Sequence, residues 1–242
     1  MEKEWLQYVD PKRRRNFLMV FQELSKSQDK DNPDFVIIGA IPLLLKGYLP
    51  YVVQWDVDLL FRDSNRLREF VSKPKTTSLK VVNYDDDFMT SEDITSFHTA
   101  WSFDKGWVNV DYILRGHLFD FYASNVSELE LHRDTIKLDN ESFQISLFLA
   151  HPWDIFLEKA TSPRTEKEIE LKIDMSVDIR HIFLIYQKEK DRAEFWQRVV
   201  TKARRFNIED QFKRNLLKIF QLKDELGYCD IDISPFSIGQ IG

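Results

Sequence analysis

A single cysteine, Cys229, stands among 242 residues, so the sequence excludes an intrachain disulfide and a thiolate metal cluster. Glycine is scarce at 7, and none of it forms the GxxxxGK loop that wraps a phosphate chain. No run reaches the roughly 18 consecutive apolar residues of a membrane span. The opening MEKEWLQYVDPKRRR has no apolar stretch behind its basic residues, so it does not read as a secretory signal. Positive charge is not in excess either. The formal net charge is −6, which argues against a non-specific nucleic-acid binder with a broad basic face. These absences lead to the expectation of a soluble cytoplasmic protein without a membrane partner.

The residues present describe a large core. Hydrophobic residues make up 43% and charged residues 31%, ordinary for a globular chain, and the 19 Phe imply a Phe-rich interior. Asp10-Pro11 reads as an N-cap and first helical residue, followed by the stripe Phe17, Leu18, Val20, Phe21 and Leu24. FVIIGA (35–40) is a buried strand that stops at Gly39, and IPLLLKGYL is a helix ended by Lys46-Gly47. WDVDLLF (55–61) is the next strand. Residues 62–72 form an amphipathic helix with Leu67, Phe70 and Val71 inward. SLKVVNY, SFHTAWSF and WVNVDYIL are three further strands, the first two separated by DDDFMTSEDIT, and a hairpin lies before residue 150. From His151 onward the periodicity is helical. The expected architecture is α+β: a mixed-sheet core over 1–150 with an N-terminal helix, then a C-terminal helical bundle over 151–242.

The chemistry centres on WDVDLLF. Alternate strand residues share a face, so Asp56 and Asp58 point together while Val57 and Leu59 point inward. Asp111 sits in the apolar strand WVNVDYIL. If the two strands are neighbours, three carboxylates converge, and such a cluster needs a counter-charge. Mg²⁺ (or Mn²⁺) is the usual one, bound by carboxylates, water and substrate phosphates. Two such ions clamp the attacking and leaving oxygens of a phosphoryl displacement. Asp85-Asp86-Asp87, in a polar stretch without apolar flanks, reads instead as a solvated turn. His98, His117, His132, His151 and His181 lack ligand spacing, which argues against zinc. The basic residues of KARRFNIEDQFKRNLLK (202–218) read as a solvated helical face, with guidance of a polyanion such as tRNA as the functional alternative.

IIGA (37–40), WDVDLLF (55–61) and VNVDYIL (108–114), in that order, resemble the nucleotidyltransferase superfamily related to DNA polymerase β. The resemblance implies that Asp56 and Asp58 ligate metal, that Asp111 completes the site, and that Gly39 and Ala40 line the phosphate pocket. The downstream HPWDIFLEKATSPRTEKE and MSVDIRHIFLIYQ are similar to the AbiEii-like minimal nucleotidyltransferases, many of them toxins of toxin–antitoxin pairs. That likeness spans roughly residues 10–190. It implies active-site roles for Lys159 and Asp178, with Lys159 touching the triphosphate and Arg164 beside it. Ala40 stands where the family carries Gly or Ser, and Gln54 where Ser or Thr is frequent.

The implied activity is transfer of an NMP from an NTP, such as ATP, to an acceptor hydroxyl on RNA, a protein or a small molecule. A cognate antitoxin is the implied protein partner. Two other readings stay open: a catalytically silent member that binds nucleotide or a partner, with Ala40 and Gln54 as its signs, and an aminoglycoside-type antibiotic nucleotidyltransferase.

Overall fold

The computed structural model describes residues 3–28, 33–83, 96–103 and 106–229. It divides into two compact units, Met1–His151 and Pro152–Gly242. The first unit is built on a seven-stranded sheet: β1 Phe35–Ile38, β2 Val57–Phe61, β3 Leu79–Asn83, β4 Ser96–Phe103, β5 Val108–Leu114, β6 Glu130–Leu138 and β7 Glu141–Leu149. Its order is β3-β4-β5-β2-β1-β7-β6. The sheet is mixed, since β2–β5 and β1–β7 run parallel and the other neighbours antiparallel. The architecture is therefore α+β.

β1 is buried along its whole length, as a strand of four apolar residues between two neighbours should be. Helix α1 (Arg14–Ser27) packs on the sheet through Phe17, Leu18, Val20, Phe21 and Leu24, each at most 2% exposed. Asp10 caps as its sequence suggests, its carboxylate accepting from the Lys12 amide at 3.0 Å. The residues it caps form a turn, however, and α1 itself opens only at Arg14. α2 (Ala40–Leu45) follows β1 directly, and α3 (Ser64–Ser72) is capped by Asp63, which accepts from the Asn65 and Arg66 amides. Leu67 and Phe70 of α3 face the core, but Val71 is 42% exposed, contrary to the sequence reading. Phe70 closes an aromatic cluster with Phe35, Phe61, Trp101 and Tyr112.

One helix of this unit, α4 (Gly116–Ala123), has no counterpart in the sequence reading. Its apolar residues are nearly consecutive and aromatic, so they carry no 3.6-residue period. The Asp85-Asp86-Asp87 run and the SPFSIGQIG tail lie outside the described residues.

The second unit contains α5 (Pro152–Thr161), α6 (Pro163–Glu170), α7 (Val177–Glu189), α8 (Ala193–Arg205) and α9 (Glu209–Gln221). α5 contacts the other four, burying Ile155, Phe156, Leu157 and Ala160 completely. Phe156 meets Phe195, Trp196 and Phe212 edge-on. The basic run 202–218 is split between α8 and α9 and is not a single solvated face. Lys202 is buried against Asp154, while Arg204 and Lys213 pair with Glu209. Among the described residues no helix is long and apolar enough to cross a membrane.

Candidate functional site

The parallel pairing of β2 with β5 sets the site. Its register puts Asp58 directly beside Asp111, with Val57 beside Val110 and Leu59 beside Tyr112. Valine and leucine take the core face, so both aspartates share the opposite, half-exposed face. On β4, His98 is the partner of Asp111, so Asp58, Asp111 and His98 form one row across three strands.

Asp56 lies one residue before β2 and is exposed. The side-chain amide of Asn109 donates to its Oδ1 at 3.0 Å. Desolvation raises the Asp56 carboxyl above its ordinary value, against the opposing effects of the Asn109 hydrogen bond and the Arg13 charge. Its exposure to water keeps that desolvation partial. Asn109 and His98 were not legible as neighbours of the carboxylates, because only strand pairing brings them there.

Gly39 ends β1 at the same place. Its φ is +71° and ψ −134°, a conformation that L side chains rarely adopt. A Cβ on Gly39 would fall 2.2 Å from Oδ2 of Asp58, so the carboxylate occupies the space a methyl would need. The register explains the closeness, since Ile38 of β1 is paired with Asp58. Ala40 is the first residue of α2. Among the described residues, no three His, Cys, Asp or Glu side chains stand close enough to hold a metal ion. Asp58 and Asp111 are thus brought together, while Asp56 shares their side of the sheet and is engaged with Asn109.

Lys159, Arg164 and Asp178 lie in the second unit and form a cluster of their own. The Lys159 ammonium donates to Asp178, both side chains being nearly buried. Arg164 Nε is 3.4 Å from the other Asp178 oxygen and 3.0 Å from Glu168 Oε1. The Ser176 hydroxyl donates to Glu168. Burial acts to raise the Asp178 carboxyl, but the charges of Lys159 and Arg164 outweigh it and hold the group below its ordinary value. Lys159 is therefore an ion-paired interior lysine, not one extended along a helix surface.

His181, one turn beyond Asp178, is 2% exposed and is pushed down to about 3 by burial first and the Lys159 charge second. The sign of its effect on stability follows. Below about 6.5 the unfolded chain takes up a proton that the folded chain refuses until about 3, so folding weakens as pH falls through that window. The expected slope is up to about 1.4 kcal/mol per pH unit between pH 6 and 4. Urea unfolding of the wild type and His181→Gln at several pH values measures it. An equal slope in both proteins would show that His181 is not its source.

No family model matches this chain, and no curated protein matches it. Among solved structures, the chain is similar to an antigenic nucleotidyltransferase-like protein from Paracoccidioides brasiliensis. The two are 17% identical over 88% of this chain and 93% of that one, with a TM-score of 0.46.

Proposed function

We propose that this protein is a metal-dependent nucleotidyltransferase, moving an NMP from an NTP to an acceptor hydroxyl. The observation that carries the reading is the in-register pair Asp58–Asp111, with the Asp58 carboxylate seated over the bare Cα of Gly39. The donor set fits Mg²⁺ or Mn²⁺ in kind, being carboxylate oxygens on one open face. Asp58 and Asp111 would hold the ion, with Asp56 beside them. When bound, it supplies neutralisation of the triphosphate charge and favours ionisation of the attacking hydroxyl.

The chain's own contribution is positioning and electrostatics. The acceptor hydroxyl passes its proton to the Asp111 carboxylate, and its oxygen forms a bond to the α-phosphorus. The bond between that phosphorus and the bridging oxygen breaks, and pyrophosphate carries the electron pair away. Gly39 lets Asp58 sit close against the β1 backbone without steric conflict.

A second reading has one observation in its favour: Asp56 is engaged with Asn109, and among the described residues no three His, Cys, Asp or Glu side chains stand close enough to hold a metal ion. That favours a chain that binds nucleotide without transferring it. α-Labelled NTPs with Mg²⁺ or Mn²⁺ and total RNA, a protein extract or aminoglycosides separate the two. The transferase reading expects labelled product that EDTA abolishes and that falls at least about 100-fold in Asp58→Asn and Asp111→Asn. NTP binding without transfer supports the second reading, and neither binding nor transfer sinks both. The AbiEii-like resemblance extends the proposal to a toxin. Its test is growth arrest on induction that Asp58→Asn abolishes and an adjacent antitoxin gene relieves.

A further inference from the structure

An exposed tryptophan stands at the start of the strand that carries Asp111. Trp107 immediately precedes β5, two residues before Asn109, and is 46% exposed, unusual for an indole in a chain that buries most of its large aromatics. Its position is held from two sides. Gly106 lies against α1, where an added Cβ would come within 3.3 Å of the Asn16 amide nitrogen, and the Ser102 hydroxyl donates to the Gly106 carbonyl. The Arg13 guanidinium lies over the indole, 5.6 Å from the ring centroid. Arg13 also acts electrostatically on Asp56, which joins the aromatic to the site.

The surroundings extend the patch. Arg13, Trp107, Val53, Trp55 and Asp10 line one small cavity. Trp55 is anchored by its indole N–H donating to the Tyr8 carbonyl at 2.8 Å, which fixes the segment carrying Val52 and Val53, 55% and 43% exposed. Lys12, next to Arg13, is exposed. The result is an aromatic face, an apolar rim and two cations, one of which, Arg13, acts on Asp56. An exposed aromatic for a base together with cations for a sugar–phosphate backbone is how single strands are held without sequence readout. The overall charge of −6 and the presence of Asp10 exclude a diffuse basic field, so stacking must carry the selectivity.

We propose that Trp107, flanked by Arg13 and Val53, is a stacking platform for an unpaired base of a single-stranded polynucleotide. In this role the strand is the acceptor that reaches Asp58 and Asp111. The acceptor role rests on the nucleotidyl-transfer reading, whereas the binding itself does not. A strand suits the patch better than a free NTP, because the adjacent cations Lys12 and Arg13 match successive backbone phosphates. In a duplex the bases are stacked on one another and cannot use the platform.

The test is fluorescence anisotropy of the full chain with a labelled short single-stranded RNA at low salt. Trp107→Ala is expected to weaken binding about tenfold, and Trp107→Phe, which keeps an aromatic face, to weaken it much less. Arg13→Gln is expected to lower affinity and flatten the salt dependence, the slope losing about 0.7. A blunt duplex of the same sequence is expected to bind at least tenfold more weakly, and free NTP to compete poorly. Unchanged binding by Trp107→Ala overturns the platform, as does equal affinity for the duplex. Competition by NTP as strong as by RNA would assign the indole to the nucleotide instead. Trp107-dependent binding without transfer leaves the platform standing and removes the catalytic reading; transfer to RNA with unaltered binding by Trp107→Ala does the reverse.

Discussion

Replacing Gly39 with alanine is expected to cost both the fold and the site. Two penalties add at one atom. At φ +71° and ψ −134° an L side chain is strained by about 1–3 kcal/mol. The new Cβ would also stand 2.2 Å from Asp58 Oδ2, far inside contact distance, so the carboxylate must leave its place against β1. Expected are a stability loss of about 2–4 kcal/mol in denaturant unfolding and a fall in metal-dependent transfer of at least about 100-fold. A double-mutant cycle separates the penalties. In an Asp58→Ala background the steric conflict disappears, so the stability cost of Gly39→Ala should shrink to the backbone strain alone. The same cost in both backgrounds would show that the carboxylate is not against Gly39.

The second large effect is expected at Asp154 of α5, in the second unit. Asp154 is 1% exposed and accepts from Arg198 Nε and Nη2 at 2.8 Å each and from Lys202 Nζ at 2.6 Å. Arg198 and Lys202 are four residues apart on α8, so both reach the same carboxylate on α5. Lys202 is 5% exposed. Asp154→Ala therefore takes the facing carboxylate from a buried ammonium and should destabilise the second unit by about 3–5 kcal/mol, at least about 12 °C in Tm for a unit of this size. Replacing the whole triad with apolar residues (Asp154→Leu, Arg198→Leu, Lys202→Met) should recover most of that loss, because the cost lies in the orphaned charge. If Asp154→Ala melts like the wild type, the cations find water and the triad is not an interior ion cluster.

Local signals in the chain were sufficient for the strands and for most helices. FVIIGA is apolar and β-branched throughout and becomes the buried β1. Asp63 precedes an amphipathic run and caps α3, and the stripe Phe17–Leu24 becomes the buried face of α1. Where the local signal was missing the reading failed: α4 has clustered aromatics without a helical period, and Val71 lies at the edge of the apolar arc of α3. Asp56, Asp58 and Asp111 could be singled out because a carboxylate among apolar strand residues is costly unless something answers it. Gly39 could be singled out because it interrupts an apolar run.

Which of these groups meet depended on pairing between distant segments, and nothing local encodes that. The β2–β5 register puts Asp58 beside Asp111 and leaves Asp56 to Asn109. The β4–β5 register adds His98, and the β1–β2 register brings Gly39 under the Asp58 carboxylate. Packing of α5 against α7 and α8 turned Lys159 and Lys202, both plausible surface lysines by their spacing, into interior ion-pair partners. Periodicity reports which side of an element is apolar. Only the assembled core settles which charges lose their water and must find each other instead.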